Sequence, residues 1–359
     1  MCSRIFSTSI EGEKELEIRS SSNTRRVKRQ PPLLFMLGEL SGETKHAIVD
    51  PIKKTYNIIY FPELKCQSQC LASRFGWLLI LSRETSSLFF FNPITRSRIV
   101  IPYWNHVFTL ATFSAPPDSQ NCTIFAIEMP KPNATGNNII RIDTLTAGQE
   151  AWTPHLYLTD KTTFTDISQA VYNKGRLYCL DLQGRVGIFD AKYKSWNVVP
   201  SKGFDDDKVH VPYMVEFNGE IYAGKMEAYA GIEKLERLIM EEDEHGRTVS
   251  AVWMRTENMG NFSIHLGPYG SCVVPLQEQG TKKKVLVADQ GPESKCLIYE
   301  NVSIDGVDDC IYQESSIYSV KSLGGCYAPV WVQRPNYVSS PEIIELQPTD
   351  HGHRYTYSF

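Results

Sequence analysis

The chain has 359 residues, 42% of them hydrophobic and 22% charged, with a formal net charge of −4. That composition supplies a core and excludes a largely disordered chain. The near balance of charge excludes the global basic excess of a nucleic-acid binder.

Nine cysteines, scattered from Cys2 to Cys326, form no disulfide framework and fit a reduced cytosolic or nuclear protein. Residues 1–30 read as a disordered basic and Ser-rich arm with no apolar core of signal-peptide length. The basic run RRVKR, Arg25 to Arg29, suits a nuclear-import signal or a plain solvated arm. The longest apolar runs, such as Trp77 to Leu81 and Leu88 to Phe91, fall far short of the ~20 residues of a membrane helix. The expected location is therefore cytoplasmic, nuclear or both, with no membrane and no nucleic acid as partner.

From residue 47 a motif recurs. AIVDPIKKTYNIIYFP (47–62) carries Asp50-Pro51, an aromatic six places after the Asp (Tyr56), and a closing Pro62. FFFNPITRSRIVIP (89–102) repeats it with Asn92-Pro93, Arg98 and Pro102. A looser copy is IIRIDTLTAGQEAWTPHL (139–156), with Asp143 and Trp152 further apart, and VGIFDAKYKSWNVVP (186–200) returns to form with Asp190, Trp196 and Pro200. The turn residues stand at 50, 92, 143 and 190, in steps of 42, 51 and 47. Periods of this size mark propellers and other repeat arrays. Each copy reads as a β-hairpin: Asn or Asp caps the turn with its side chain, Pro supplies a fixed φ, and the aromatic on the return strand covers the sheet.

A second element precedes these hairpins. RFGWLLIL (74–81, with Gly76 and Trp77) and NKGRLYCLD (173–181, with Gly175) are Gly-led turns into short apolar strands, and FNGEIYAGK (217–225, with Gly219) is a third. Together the two elements make about one four-stranded blade. Trp77, Trp152, Trp196, Trp253 and Trp331 sit at strand-like positions and are expected in blade cores. Tyr103, Trp104 and His106, in PYWNHV, follow Pro102, and Phe204 follows Pro200 in the same relative place. These four lie in connections that emerge on one face of a propeller, where exposed aromatics suit partner contact; the alternative is packing between neighbouring blades.

Further on, LERLIMEEDEHGRTVSAVWMR could start as a helix, from the spacing of Ile232, Leu235, Leu238 and Ile239. The run TVSAVWMR beyond EEDEHG favours a long hairpin with an acidic tip. KKVLVADQ, SKCLIYE and DDCIYQE supply the strands of a last unit. The count is about six units, with five or seven also compatible.

Signals for chemistry are absent: no nucleophile elbow, phosphate loop, dinucleotide fingerprint or zinc-protease motif is present. Cys66 and Cys70 have the spacing of two zinc ligands but no second pair follows, so they read as thiols on a strand and loop. His351 and His353 read as tail residues, and Asp205 to Asp207 and Lys282 to Lys284 as solvated loop tips. No enzyme activity, cofactor or metal is expected.

GWLLILSRETSSLFFFNPITRSRIVIP, VYNKGRLYCLDLQGRVGIFDAKYKSWNVVP, MVEFNGEIYAG and YAPVWVQRP, in that order, resemble the plant F-box-associated, kelch-like propeller family, the KIB-type propeller. The resemblance runs from about residue 31 to 335 and implies an all-β fold, a β-propeller of kelch-like four-stranded blades; residues 336–359 follow as a tail outside the family pattern. Members of that family commonly carry an F-box before the propeller; there the F-box docks on the Skp-type adaptor of a Skp–cullin–F-box ubiquitin ligase and the propeller captures the substrate. Residues 1–30 have too few apolar residues for that helical module. The expected function is a monomeric propeller that captures a protein partner and lacks the F-box. The alternatives are a complete ligase receptor whose F-box lies upstream of Met1, and a small-ligand or enzymatic propeller using its central channel.

Overall fold

Asp50, Asn92 and Asp190 close their hairpins in one way. This is seen in a computed structural model of the protein, which describes residues 31–39, 46–53, 55–65, 68–104, 110–132, 138–159, 164, 166–199, 201–202, 211–227, 231–244, 248–256, 262–275, 284–289, 295–304, 307–319, 326–334 and 356–358. One side-chain oxygen of each residue accepts two turn amides: Ile52 and Lys53 on Asp50 (3.2 and 3.0 Å), Ile94 and Thr95 on Asn92 (3.0 and 3.1 Å), Lys192 and Tyr193 on Asp190 (2.9 Å each). A short side-chain acceptor is what such a turn requires, which is why only Asn or Asp stands there. The Gly-led elements are two-residue turns with both φ positive: Phe75-Gly76 (54° and 81°), Lys174-Gly175 (46° and 86°) and Asn218-Gly219 (53° and 76°). That conformation matches the twist of antiparallel strands.

These turns join strands into sheets. The first sheet holds β1 (Leu33–Glu39), β2 (His46–Asp50) and β3 (Thr55–Ile59). The second is β4 (Ser68–Arg74), β5 (Trp77–Ser82), β6 (Ser87–Phe91) and β7 (Arg98–Ile101), in sequential order. The third is β8 (Leu110–Phe113), β9 (Thr123–Pro132), β10 (Asn138–Thr146) and β11 (Thr153–Thr159). The fourth is β12 (Ile167–Asn173), β13 (Arg176–Asp181), β14 (Val186–Asp190) and β15 (Ser195–Val199). Next come β16 (Ser201–Lys202), β17 (Val211–Phe217), β18 (Glu220–Glu227), β19 (Gly231–Glu242) and β20 (Thr248–Arg255); β17 to β20 form the fifth sheet and β16 adds to its outer edge, parallel to β20. The sixth has β21 (Phe262–Leu266), β22 (Cys272–Pro275), β23 (Lys284–Asp289), β24 (Lys295–Ile304) and β25 (Val307–Ser319), with β22 first and β21 beside β23. β26 (Cys326–Val332) then returns to pair with β1, and β27 (Thr356–Ser358) pairs with β3. The result is a six-bladed β-propeller, and the stretch expected as a separate tail ends by adding a strand to blade 1.

The core lies at the seams. Six buried clusters occur among the described residues, one between each pair of neighbouring blades. Between blades 1 and 2, for example, Phe35, Phe61, Phe89 and Phe91 pack with Val330 of β26. Each such side chain contributes about 1.5–3 kcal/mol when removed from water. Because β26 comes from the far end of the chain, the seam at blade 1 depends on both ends being in place. Trp331 fastens it: the indole donates to the Leu266 carbonyl of blade 6 at 2.7 Å, and its own carbonyl accepts the Ser73 hydroxyl of blade 2.

The long hairpin at 231–255 forms as β19 and β20, with Leu238 facing Trp253 in register. KKVLVADQ, SKCLIYE and DDCIYQE fall in β23, β24 and β25. The looser third copy differs from its expectation. Asp143 is no turn residue; it lies inside β10, fully buried, and the chain turns instead after Thr146, where Gly148 takes φ 85°. The third blade's strands run longer, so the turn shifts along the sequence, and Gly148 is the signal that marks it.

Candidate functional site

Strand alternation gives each blade two ends. The Gly turns and the Asx turns share one end of the propeller, the turn face. In blades 1 to 5 the links between second and third strands, and the connections out to the next blade, share the other, the connection face.

The central channel opens on the turn face as a cavity of about 450 Å³, lined by residues that include Arg74, Phe75, Glu216, Asn218, Ser271 and Gln333. Arg74 ends the inner strand of blade 2 and reaches across this mouth. Its Nη1 donates to the carbonyls of Phe113 in blade 3 (3.2 Å) and Tyr172 in blade 4 (2.9 Å), and its Nη2 to the Glu216 carboxylate in blade 5 (3.5 Å). One guanidinium therefore spans four blades, which its planar fork of five donors permits. Burial lowers the Arg74 pKa, and the nearby Glu216 charge opposes that shift. Glu216 in turn accepts the Gly219 amide at 2.9 Å. Sequence reading took Arg74 only as the residue before a Gly turn; nothing local reveals its distant partners.

On the connection face, the four residues expected to contact a partner are placed differently. Tyr103 is 64% exposed. Trp104 is buried at 8%, which corrects the expectation of an exposed ring. Its indole donates to the Asp143 carboxylate at 2.6 Å and packs against Trp152, 5.6 Å between centroids, so it belongs to the packing of blades 2 and 3. His106 and Phe204 lie outside the described residues. Two further large apolar side chains on this face, Tyr60 (60% exposed) and Leu182 (45%), were missed because neither interrupts the hairpin pattern. The loop of Leu182 is held firmly: Asp181 accepts the amides of Gln183 and Arg185 and the Arg185 guanidinium, and Trp253 donates to the Gly184 carbonyl.

Tyr56 and Trp77 are buried, and Trp196 is half-buried over Gly187. Trp253 and Trp331 are buried and Trp152 is half-buried.

Among the described residues, burial shifts the interior thiols and histidines toward their neutral forms. Cys70, Cys122, Cys179 and Cys272 are buried free thiols, and burial pushes Cys122 up to about 11 and Cys272 up to about 12. Such thiols stay protonated and are poor nucleophiles. Burial lowers His46 to about 4 and His265 to about 3. Among the described residues no group of three or more His, Cys, Asp or Glu is placed to hold a metal ion. Cys66, His351, His353, the RRVKR run and the Asp205–Asp207 tip lie outside the described residues, as do the side chains of Lys282 to Lys284.

Comparison with known proteins agrees with this architecture. An F-box/kelch-repeat protein of Arabidopsis thaliana is 27% identical over 215 residues, covering 57% of this chain and 56% of the relative. An Arabidopsis F-box protein is 31% identical over 176 residues, covering 49% and 43%. Another is 26% identical over 354 residues, covering 92% and 69%. The chain thus spans about half the length of the first two relatives it matches. The family model described as the KIB1-4 beta-propeller matches residues 47–312, from β2 of blade 1 into β25 of blade 6. On that match and this fold, the chain belongs to the KIB1-4 β-propeller family.

Proposed function

We propose that this propeller captures a protein partner through its connection face, as the substrate-binding part of an F-box-type receptor. The observation that carries the reading is the family match together with relatives that are F-box proteins. The face supports it: Tyr60, Tyr103 and Leu182 are exposed there. Tyr103 adjoins the buried anchor Trp104, and Leu182 sits in a turn fixed by Asp181. Aromatic and apolar side chains held by a rigid frame are the composition of interface hot spots, with little ordering cost on binding. No bond is made or broken; the work is capture, in the cytoplasm or nucleus, by a monomer.

The test is affinity capture from the source cells with the wild-type chain and with Tyr60→Ala/Tyr103→Ala as baits. A specific protein retained by the first and lost by the second, with thermal unfolding unchanged, supports the reading. Equal capture by both overturns the choice of face.

A second reading follows from the length of the relatives, which extend beyond the matched stretch. In it the propeller is joined to an F-box upstream of Met1 and acts as a complete ligase receptor. Intact mass of the natural protein, with co-purification of a Skp-type adaptor, separates the two.

A further inference from the structure

We propose that the outer edge of blade 3, strand β11, binds an extended segment of the captured protein as a fifth strand, with the segment's apolar side chains on the Leu156–Leu158 side. This rests on the protein-capture reading and states what form the captured segment takes. β11 is the outermost strand of its four-stranded sheet. It reads TPHLYLT, seven residues with no Lys, Arg, Asp or Glu.

The backbone of β11 is set for pairing. The Ala147 amide donates to the Cys122 carbonyl at 2.8 Å, which extends the ladder between β9 and β10 and fixes its alternation. Leu145 and Asp143 bond β9, so Thr144 and Ile142 bond β11, where Thr153 and His155 stand opposite them. Pro154, Leu156 and Leu158 therefore turn their backbone groups away from the sheet. Pro154 agrees with that assignment, because a proline in an edge strand has no amide to donate. The side chains follow. Tyr157 packs toward blade 4, its ring centroid 6.1 Å from Phe189 and 6.5 Å from Trp196. Successive side chains point to opposite faces, so Leu156 and Leu158 point to the blade 2 side, where they are 62% and 68% exposed. Asp143, opposite Pro154, holds Trp104, and the next residue, Tyr103, is exposed as well.

The chain itself shows what covers such an edge. β27 adds to β3 on the outside of blade 1, with Tyr357 opposite Tyr56. β16 adds to β20 on the outside of blade 5, with Ser201 opposite Ala251. Edges left open are ordinarily protected by charge, shortness or polar side chains. β7 has four residues and carries Arg98, β25 carries Asp308, Asp309 and Glu314, and β15 exposes Ser195 and Asn197. β11 instead exposes two leucines beside unpaired backbone groups. An extended segment bonds those amides and carbonyls and covers both leucines at once. A helix cannot do so, because its own ladder uses its backbone groups.

The test uses the full chain and a fluorescein-labelled peptide of alternating Thr and Val with a Lys at each end, read by anisotropy. The expected result is saturable binding. The same peptide with its backbone amides N-methylated keeps every side chain and loses its strand donors, and should bind about tenfold more weakly or worse. Leu156→Lys/Leu158→Lys should weaken the unmethylated peptide by about tenfold. Val100→Lys, on the edge of blade 2, should leave it unchanged, and both variants should unfold at the wild-type temperature. No saturable binding, equal binding of the methylated peptide, or insensitivity to the double lysine variant overturns the proposal. So does a dimer in sedimentation that Leu156→Lys/Leu158→Lys disperses while the peptide does not bind, which would give the edge to a second copy of this chain. If the peptide fails while a protein is still captured through Tyr103, only the edge falls; if peptide binding holds while protein capture fails, the capture reading falls.

Discussion

The indole of Trp104 donates to the buried carboxylate of Asp143 at 2.6 Å, joining the connection after blade 2 to the third strand of blade 3. Arg141 Nε bonds the same carboxylate at 2.9 and 3.0 Å. A carboxylate with 1% side-chain exposure is tolerable because both partners are present. Trp104→Phe keeps most of the ring and removes the donor, so it should destabilise the protein by about 1–3 kcal/mol. Trp104→Ala also leaves a cavity and should cost about 3–5 kcal/mol. Urea unfolding of both variants checks this order; a silent Trp104→Phe would mean the bond is not formed in solution.

Arg74 should be the most damaging single change at the channel mouth. Arg74→Met abandons two carbonyls and the Glu216 carboxylate at once, and loss of one partner from a buried ionic site costs about 3–5 kcal/mol. Its partial exposure places the expected loss at the lower end. Arg74→Lys should rescue little, because one ammonium cannot reproduce the fork that reaches three blades. Equal stability of the Lys and wild-type proteins would show that charge alone, without geometry, suffices.

Acid should loosen the closing seam. His265 stands edge-on to Trp331 at 4.8 Å, and His46 lies against Phe35 and Phe61 on the other side of blade 1. Burial holds both neutral, at about 3 and about 4. The unfolded chain binds these protons near the ordinary value of about 6.5. Stability from this source is therefore full above that pH and falls as pH drops toward the folded values, by up to ~1.4 kcal/mol per pH unit for each histidine. Unfolding free energies between pH 7 and 4 should show this slope, and His265→Phe should flatten it. An unchanged slope in that variant would remove His265 from the account.

Two glycines should respond to alanine for different reasons. At Gly187 a Cβ would overlap the Trp196 ring and touch Phe164 at 3.0 Å, so Gly187→Ala should cost about 1–3 kcal/mol by overpacking. At Gly175 there is open space but φ is 86°, so Gly175→Ala should cost only about 1 kcal/mol through backbone strain. Thermal unfolding should also show Trp196 fluorescence changed in the first variant alone. The reverse ranking would contradict the placement of Trp196.

Much of the fold was legible because each blade is built from local signals. Asn92 and Asp190 announce their turns through a side chain that bonds residues two and three places on, and Gly76 and Gly175 through a positive φ. The same locality explains the failure at Asp143, where an Asp inside a longer strand imitates a turn residue. The candidate surfaces were less legible. Arg74 meets carbonyls and a carboxylate 39, 98 and 142 residues away, and Trp104 meets an acid 39 residues away. No spacing within a repeat encodes such contacts, so for Trp104 partner contact and packing between blades both stayed open, and Arg74 read as incidental. The pairing of β26 with β1 is likewise a property of ring closure, invisible to any one unit.

The central claim is that the connection face holds a protein partner. The most direct measurement replaces Tyr103 with photoreactive benzoylphenylalanine in the full chain, irradiates it in extract of the source cells, and identifies adducts by mass spectrometry. The account predicts a protein adduct specific to position 103 and missing when the same group replaces Val100 on the outer edge of blade 2. Adducts that are the same at both positions, or none at either, would contradict it.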